Sequence, residues 1–491
     1  MNYKMMFRFY ALVCLLEGVF LIPSLCIGIA DGTQRTALGF AVTMMLSWGL
    51  ALLFKLLSRN APKDFFAREG FICVASAWIL LSLIGALPFF FSGEIPNYID
   101  ALFETVSGFT TTGASILGNV EALSRACLYW RSFSHWIGGM GVLVFLLALV
   151  PAGGKNEGFT MHLFRAESPG PEVGKLVPKL RQTAAMLYIT YLVLTVLNFI
   201  FLMLGDIPVF EAVCTTLGTA GTGGFGIKND SMASYSPYIQ NVTTVFMLLF
   251  GVNFSCYYLL ILRQFRAVFR DEELRMYLCI VVASVLLITW NISSMYSSVG
   301  EALRHAAFQV ASIISTSGFS STDFDLWPSF SKGILMLLMV TGACAGSTCG
   351  GMKCARVLLL LKGLRRNISN LLHPQRVQSV RVNDRVIDEK VMANTNAYLS
   401  AYVVILIGSF LLISLDEFSI ATNFTAVLTC FNNVGPGFEG VGPMMNFGAF
   451  SYFSKLILIF DMLAGRLEIF PMLLLFSGSL PHKRRCVART A

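Results

Sequence analysis

Four short glycine-centred segments interrupt a chain that otherwise consists largely of membrane-spanning sequence. They are Thr110-Thr111-Thr112-Gly113, Gly221-Thr222-Gly223-Gly224, Ser315-Thr316-Ser317-Gly318 and Asn432-Asn433-Val434-Gly435. Irregular backbone at membrane depth is tolerated only where protein buries it or where it lines a watery cavity. Four such segments in one chain therefore predict four walls of a single pathway.

Composition places the chain in a membrane. It is 55% hydrophobic and 13% charged, whereas a soluble domain is about 25% charged. The first apolar run, 7–30, is long enough to span and shows no small-residue cleavage pattern, so we interpret it as a transmembrane helix rather than a cleaved signal. The net charge of +8 lies in short loops, where it sets topology, and does not indicate nucleic-acid binding.

The apolar runs define a repeated unit. Ten of them are near the ~20 residues that cross a bilayer, and the four glycine segments fall between runs three and four, five and six, seven and eight, and nine and ten. Each segment follows about 10–13 helix-compatible residues, which suit a re-entrant half-helix. The runs are 7–30, 36–57, 70–92, 131–151, 183–204, 239–262, 276–295, 329–361, 395–415 and 452–479.

We therefore predict an all-α polytopic membrane protein. Four tandem helix–pore helix–filter loop–helix repeats follow two extra N-terminal transmembrane helices. The predicted boundaries are 1–60 for the two extra helices, 61–155 for repeat 1, 156–270 for repeat 2, 271–365 for repeat 3, and 366–491 for repeat 4 with a basic C-terminal tail.

Basic residues predict the orientation. Lys and Arg collect before the first run, between runs two and three, four and five, six and seven, and eight and nine, and in the tail. Ten crossings put all of these on one side, which the positive-inside rule makes the cytoplasm. Both termini are then cytoplasmic and the half-helices enter from outside. We interpret acids near them as half-helix caps (Asp100, Asp206) or solvated groups; the alternative is that they concentrate cations at the mouth.

The segments have the chemistry of a monovalent cation site. Rings of backbone carbonyls replace the water of a dehydrated cation, and Gly reaches the unusual φ values that this requires. The C-terminal end of each half-helix adds partial negative charge. One match is weak, since glycine is common in helix packing. The predicted ligands, mostly through backbone carbonyls, are Thr110, Thr111, Thr112, Gly113, Gly221, Thr222, Gly223, Gly224, Thr316, Ser317, Gly318, Phe319, Asn432, Asn433, Val434 and Gly435.

A second interruption predicts a gate. The eighth run contains Thr-Gly-Ala-Cys-Ala-Gly-Ser-Thr-Cys-Gly-Gly-Met-Lys at 341–353, which predicts a broken helix with a mobile loop on the inner side of the filter. Gly346, Ser347 and Thr348 are the candidate gate residues, and the alternative is a packing interface of small residues. Arg466, in the last run, is a candidate electrostatic barrier beneath the filter; the alternative is pairing with Asp461, Glu468 or a neighbouring helix.

An intramembrane enzyme is the competing class of function. It would use His135 or Cys344, but no paired acids, metal triad or nucleophile–base arrangement occurs at membrane depth in the sequence. We predict that His135 packs near the mouth of a Gly-rich helix, and that the chain is not an enzyme. Cys344, Cys349 and Cys354 match no common zinc spacing.

Together these residues resemble the TrkH/TrkG/KtrB superfamily of potassium-transporting membrane subunits, and its TrkH branch in particular. The resemblance covers essentially the whole chain and is carried by the N-terminal helices, 134–141 (Ser-His-Trp-Ile-Gly-Gly-Met-Gly), 344–347 and 465–468. It implies a pseudo-fourfold pore, with Gly113, Gly318 and Gly435 as filter glycines. In repeat 2 the equivalent is Gly223 or Gly224, because the spacing from Phe210 is longer than that from Phe103 in repeat 1.

The resemblance also implies the activity and partners. These are potassium uptake across the bacterial cytoplasmic membrane, a homodimer, and a TrkA-like cytosolic nucleotide-binding regulatory subunit; it further implies that the 341–353 loop gates permeation and that Arg466 points into the pore. Potassium is the transported ion and no other cofactor is implied. Two departures matter. Cys349 stands where the family loop commonly has glycine, and the filter segments are not TVGYG, so a sodium-coupled or sodium-permeable transporter of the same fold is the alternative.

Overall fold

A computed structural model describes residues 2–59, 67–141, 180–375 and 378–476. Its helices are α1 (Tyr3–Phe20), α2 (Ile22–Ala30), α3 (Gln34–Leu57), α4 (Ala67–Gly85), α5 (Leu87–Ser92), α6 (Tyr98–Phe109), α7 (Arg125–Met140), α8 (Leu180–Met203), α9 (Val209–Gly221), α10 (Pro237–Phe250), α11 (Phe254–Ile261), α12 (Phe265–Arg270), α13 (Glu272–Ile292), α14 (Val299–Ile314), α15 (Ser329–Thr341), α16 (Cys354–Leu372), α17 (Glu389–Ile413), α18 (Ile420–Phe431), α19 (Tyr452–Arg466) and α20 (Phe470–Phe476). Short 3₁₀ turns lie at Val120–Ala122, Ser293–Met295, Phe324–Leu326, Ser414–Asp416 and Glu439–Val441.

The four half-helices are present in the predicted places. They are α6, α9, α14 and α18, of 12, 13, 16 and 12 residues. At 1.5 Å per residue they extend roughly 18–24 Å, too short to span the ~30 Å core of a bilayer. Each follows a long first helix of its repeat and precedes a second one.

The second helix of every repeat is short, and in repeats 2 and 4 it is shorter than the predicted run. These helices, α7, α10, α15 and α19, end after 16, 14, 13 and 15 residues. The run at 239–262 is therefore not one straight span, because α10 and α11 meet at 89°. The run at 452–479 is also interrupted, at 467–469, where Glu468 and Ile469 have positive φ. We predicted a break only in the eighth run, where α15 and α16 flank 342–353.

Six helices or continuous helix pairs in the described residues are long and apolar enough to cross a membrane, or seven with the bent α10–α11 pair. Predicted runs one, two, three, five, seven and nine correspond to them. The run at 131–151 begins as α7, but its second half lies outside the described residues. The N-terminal helices α1 to α3 pack against one another and against α4, α5 and α7, so they border repeat 1.

A small hairpin joins repeats 3 and 4. Arg381–Val382 pairs antiparallel with Arg385–Val386, with Arg381 opposite Val386. Asn383 and Asp384 form the turn with φ of 51° and 62°, as a type I′ turn requires. Asn383 contacts the start of α13: its side-chain oxygen accepts from the Glu272 N–H at 2.9 Å and its amide donates to Asp271 at 2.8 Å. An all-α prediction omitted this hairpin.

Candidate ion pathway

All four half-helices end in the same unusual turn. A residue at or directly after the C-cap has left-handed backbone in each case: Thr111, Thr222, Thr316 and Asn433, with φ between 54° and 56°. Two residues later comes a glycine with φ of 81°, 74°, 77° or 97° at Gly113, Gly224, Gly318 or Gly435. A β-branched residue at positive φ is a genuine outlier, and three threonines adopt it here. Such strain persists only where the surroundings impose it, and it clusters at functional sites.

Hydrogen bonds confirm that the turns are equivalent. The N–H after the left-handed residue bonds back five positions, and the N–H of the left-handed residue bonds back three, which is the Schellman pattern. The first set is Thr112 to Ser107 (2.9 Å), Gly223 to Gly218 (3.0 Å), Ser317 to Ser312 (2.8 Å) and Val434 to Thr429 (2.9 Å). The second set is Thr111 to Gly108, Thr222 to Thr219, Thr316 to Ile313 and Asn433 to Cys430.

This geometry fixes the register that the sequence left open in repeat 2. Gly224, not Gly223, is equivalent to Gly113. The residue ten positions before Gly224 is Cys214, so Cys214 occupies the position of Phe103. Phe210 lies one helical turn earlier, near the start of α9. The longer spacing from Phe210 therefore reflects a shifted aromatic residue rather than a longer filter segment.

The four segments close into a ring in chain order. A Cβ on Gly113 would collide with the Gly223 carbonyl, one on Gly224 with the Ser317 carbonyl, and one on Gly318 with the Val434 carbonyl. A Cβ on Gly435 would lie 2.7 Å from the Thr112 carbonyl oxygen. Repeat 4 thus meets repeat 1. Glycine is required at all four places both by φ and by the close approach of the next segment.

The ring presents carbonyl oxygens with no protein partner. Among the described residues, none donates a hydrogen bond to the carbonyls of 111–113, 222–224, 316–318 or 433–435. Buried carbonyls are rarely left unpaired, so this arrangement suits a cation or water as the missing partner. The C-terminal ends of α6, α9, α14 and α18 directly precede these residues, and their dipoles add partial negative charge.

Side chains in the ring differ among repeats although the backbone is shared. Thr110 and Thr112 hydroxyls lie 2.8 Å apart, as do those of Ser315 and Ser317. The Asn433 amide donates to the Thr112 hydroxyl at 3.0 Å and thereby ties segment 4 to segment 1. The remaining predicted residues supply supports: the Gly221 carbonyl accepts from Thr222 Oγ1 (2.7 Å), Phe319 O accepts from Ser312 Oγ (2.6 Å), and Asn432 Nδ2 donates to Tyr402 Oη (2.8 Å).

A cavity of about 190 Å³ lies on the side of the ring formed by the residues that follow the ring segments in the chain, and all four ring glycines line it. Four ion pairs involve acids of α6, of α9 and of the turn at Phe324–Leu326. They are Arg131–Glu104 (2.8 Å), Lys228–Glu211 (3.4 Å), Lys332–Asp325 (2.9 Å) and Lys455–Asp100 (2.6 Å).

Asp100 and Asp206 do not cap half-helices as expected. Asn97 caps α6 by accepting from the N–H groups of Ile99 and Asp100, and Pro208 precedes α9 without a side-chain cap. Asp100 instead pairs with Lys455 and so connects repeats 1 and 4. Because Lys455 neutralises Asp100, this acid adds no net negative charge at the mouth, whereas Asp206 is exposed to solvent.

His135 connects the first two repeats. Its Nε2 accepts from the Phe225 N–H at 3.3 Å, so Nδ1 carries the hydrogen and donates to the Gly108 carbonyl at 2.8 Å. Its ring centroid lies 4.2 Å from that of Phe225. A Cβ on Gly223 would strike the imidazole. His135 is thus a buried positioning group between the end of α6 and segment 2, with both ring nitrogens occupied.

The 342–353 segment lies against the face of the ring at which half-helices α14 and α18 end. The Gly350 N–H donates to the Thr316 hydroxyl at 2.7 Å, and a Cβ on Gly350 would reach Asn432 and Asn433. Repeat 2 supplies further contacts: the Phe254 N–H donates to the Gly346 carbonyl and the Cys344 N–H donates to the Gly251 carbonyl, both at 3.1 Å. The loop therefore lies under segments 3 and 4.

The other two candidate gate side chains hold the loop in shape. Ser347 Oγ donates to the Cys344 carbonyl at 2.6 Å, within the loop itself. Thr348 Oγ1 donates to Phe250 at 3.4 Å. Gly346 has φ of 73°, so a larger residue would be strained there.

Arg466 crosses beneath the ring. Its guanidinium donates to the Thr348 carbonyl at 2.7 Å and to the carbonyls of Gly138 and Gly139. It thereby joins repeat 4, the loop of repeat 3 and the end of α7 in repeat 1. The two acids that were the alternative partners of Arg466 interact with other residues. Asp461 accepts a hydrogen bond from Ser409 at 2.7 Å, and Glu468 forms an ion pair with Arg356. Arg466 therefore places a positive charge between the 342–353 loop and the end of α7.

A helical membrane protein with four half-helices around one carbonyl ring is the architecture of a cation pathway. The chain matches the TrkH family, described as cation transport protein, over residues 33–485, and it belongs to that family.

Three relatives extend the match. The Trk system potassium uptake protein TrkH of Salmonella typhimurium is 35% identical over 95% of this chain and 96% of its own. TrkG of Escherichia coli is 35% identical over 84% of this chain and 85% of its own, and TrkH of Halomonas elongata is 32% identical over 98% and 100%. The crystal structure of the potassium transporter TrkH from Vibrio parahaemolyticus superposes with a TM-score of 0.84 at 30% identity and covers 97% of this chain and 98% of that one. The predicted fold class is confirmed.

Proposed function

We propose that this protein takes up potassium across the bacterial cytoplasmic membrane through the carbonyl ring of its four segments. The observation that carries the proposal is the ring itself, in which three carbonyls of each of four equivalent turns accept no hydrogen bond from any described residue. Relatives that are named as Trk potassium uptake proteins support the choice of ion. The membrane potential drives entry, at about 2.3 kcal/mol per charge per 100 mV.

The predicted ligand residues have two different roles in this proposal, ion coordination and support of the ring. The carbonyls of 111–113, 222–224, 316–318 and 433–435 coordinate the ion. Thr110, Gly221, Asn432 and Phe319 act mainly as supports, because their groups engage other protein atoms or precede the left-handed turn. The repeat boundaries at 61–155, 156–270, 271–365 and 366–491 remain proposed boundaries.

The loop at 342–353 is the gate, and Arg466 is the barrier that keeps it closed. Two observations support this assignment. Gly350 bonds directly to Thr316 in the filter, and Arg466 bonds to Thr348 in the loop. Opening therefore requires the loop to leave the ring and the guanidinium to leave the axis.

Control from the cytosol completes the proposal. A TrkA-like nucleotide-binding subunit regulates the gate, two copies of the chain form a homodimer, and both termini are cytoplasmic. The positive-inside pattern supports the orientation. A docking contribution from the basic segment 353–390 fits the exposed Arg365 and the hairpin of that segment, which the positive-inside pattern assigns to the cytoplasm. The other basic segment, 153–181, lies almost entirely outside the described residues.

Ion-replacement flux tests the ion and the filter together. The purified chain is reconstituted in proteoliposomes, and uptake of potassium, rubidium and sodium is measured with and without the regulatory subunit. We expect potassium and rubidium uptake that exceeds sodium uptake, and loss of uptake in Gly113→Asp and Gly435→Asp. Equal sodium uptake would favour the sodium-permeable alternative, which the non-TVGYG side chains of the ring motivate. Intact flux in both variants would refute the filter assignment.

A further inference from the structure

One carboxylate holds both ends of the gate loop. Glu273, in the first turn of α13, accepts from the Ala345 N–H at 2.6 Å and from the Ala355 N–H at 3.1 Å, both through Oε1. Glu273 is only 9% exposed, and it belongs to the first helix of repeat 3, not to the broken helix. A single side chain therefore bridges residues on the two sides of the break.

The start of α16 needs this external partner. Its N-cap residue is Lys353, which has φ of 75° and makes no side-chain cap hydrogen bond. Lysine is a poor residue there, because a helix N-terminus favours acceptors and negative charge. Glu273 supplies both from another helix. A local rule broken at this position and compensated from a distance is typical of a functional site.

The same stretch of chain holds the middle of the loop. The α10–α11 break accepts from the loop at Gly251 and donates to it at Phe254. The chain then runs through α11 and α12 to Glu273. The segment 251–273 thus contacts the loop at three places, and only Glu273 does so through a charged side chain.

Glu273 is also next to the cytoplasmic hairpin. Its neighbours Asp271 and Glu272 exchange hydrogen bonds with Asn383, and Lys362 of α16 pairs with Glu272 and donates to Arg381 at 2.6 Å. The hairpin, α16 and the first turn of α13 therefore form one connected unit. A displacement of the hairpin reaches Glu273 through a single residue.

We propose that Glu273 is the latch of the gate, a positioning residue that holds both ends of the 342–353 loop against the filter, with the Arg381–Val386 hairpin as the handle that moves it. This inference rests on the proposed function of the loop. Losing the carboxylate leaves the Ala345 N–H in the loop and the Ala355 N–H at the start of α16 without their acceptor, so the closed position loses stability relative to open positions in which water reaches them.

The test uses two independent readouts on the full-length chain in proteoliposomes. The first is rubidium uptake without the regulatory subunit, and the second is the rate at which a small thiol reagent modifies Cys349, followed by peptide mapping. Cys349 lies in the loop and is 1% exposed. In Glu273→Ala we expect both to rise roughly fivefold, the factor that corresponds to about one hydrogen bond, with the preference for potassium over sodium unchanged.

Matched variants separate a latch from general damage. Glu273→Gln keeps an acceptor oxygen without the charge, so it should give a smaller rise and substitutes for the alanine variant if that one does not fold. Asp416→Ala is the control, because Asp416 accepts a backbone N–H from Ser451 at 2.8 Å near the start of α19, and it should change neither readout. A faster Cys349 reaction without faster uptake would support the latch and refute the loop as the gate. If neither readout changes in folded Glu273→Ala, the latch is refuted.

Discussion

The four repeats contribute equivalent groups to the carbonyl ring but different groups to the region beneath it, where the 342–353 loop and Arg466 lie. At the ring, each repeat contributes the same turn, the same two backbone hydrogen bonds and a glycine at the same position. Beneath it, each repeat contributes something different. Repeat 1 offers the carbonyls of Gly138 and Gly139, repeat 2 a helix break, repeat 3 a loop, and repeat 4 Arg466.

The difference follows from what each level must do. A site for a spherical ion gains from equivalent oxygens on all sides, so the repeats retain one backbone geometry while their side chains vary. A gate needs two discrete positions, which symmetric packing does not provide. In the function proposed above, one long loop held by a carboxylate and a guanidinium provides them. Substitutions at equivalent ring positions should therefore act alike, while those beneath the ring should act individually.

The largest effect is expected from Gly→Ala at the four ring glycines. Left-handed backbone costs an alanine about 1–2 kcal/mol, and the new Cβ displaces the carbonyl of the next segment. We expect rubidium uptake to fall by roughly 100-fold, or ~3 kcal/mol in the barrier, in Gly113→Ala, Gly224→Ala, Gly318→Ala and Gly435→Ala alike.

Gly333→Ala is the control for this series. Gly333 lies within α15, and nothing approaches an added Cβ within 4 Å. Alanine in a helix interior is slightly stabilising relative to glycine, so uptake should be unchanged. A series in which one ring glycine tolerates alanine would break the equivalence of the four repeats.

Arg466→Gln should give the next largest effect, in the opposite direction. At an effective dielectric constant of about 20, a positive charge about 8 Å from a cation repels it by ~2 kcal/mol. Removing the charge should raise uptake without the regulatory subunit, up to a bound of roughly 30-fold. Rubidium flux measures it. Arg275→Gln removes the same charge from an exposed position at the start of α13 and should have no effect; equal increases in both variants would assign the gain to net charge instead of position.

The sequence predicted the ring better than the level beneath it. Four half-helices and four glycines recur at a fixed place in an apolar chain, so their repetition was visible. The breaks after α10 and α19 are only weakly marked in the sequence. Each involves few residues, at Gly251 and at 467–469, and ordinary apolar residues flank both. The register of repeat 2 was hidden by Phe210, which occupies a different turn of its helix.

Two further features differ in how they could have been found. The hairpin had a local signal, since Asn383-Asp384 between two Arg–Val pairs is typical of a type I′ turn. Glu273 had none. The N–H groups that donate to it lie in and after a loop about seventy residues away in sequence, and only the tertiary structure brings these groups together.

His135→Ala should alter selectivity more than flux. The variant leaves the Phe225 N–H and the Gly108 carbonyl without their partner, which costs about 1–3 kcal/mol. Segment 2 is then held less firmly where it contacts repeat 1. We expect the ratio of potassium to sodium uptake to fall about threefold to tenfold, measured by competing the two ions. His305→Gln is the matched control, because His305 bonds Ser321 at 3.0 Å outside the ring. An unchanged ratio in His135→Ala would show that segment 2 holds its geometry without the seam.

Cys349→Gly should have the smallest effect, although Cys349 lies in the gate loop. Its side chain is buried, but its sulfur lies 3.9 Å from the Phe250 carbonyl, which is a long contact. The loop is held chiefly by Arg466 at Thr348, by Thr316 at Gly350 and by Glu273. We therefore expect uptake without the regulatory subunit to change less than about twofold, since the volume lost is small and the glycine adds only modest backbone freedom. A tenfold increase in rubidium flux would mean that packing of this side chain, rather than the polar contacts at the two ends of the loop, sets the closed position.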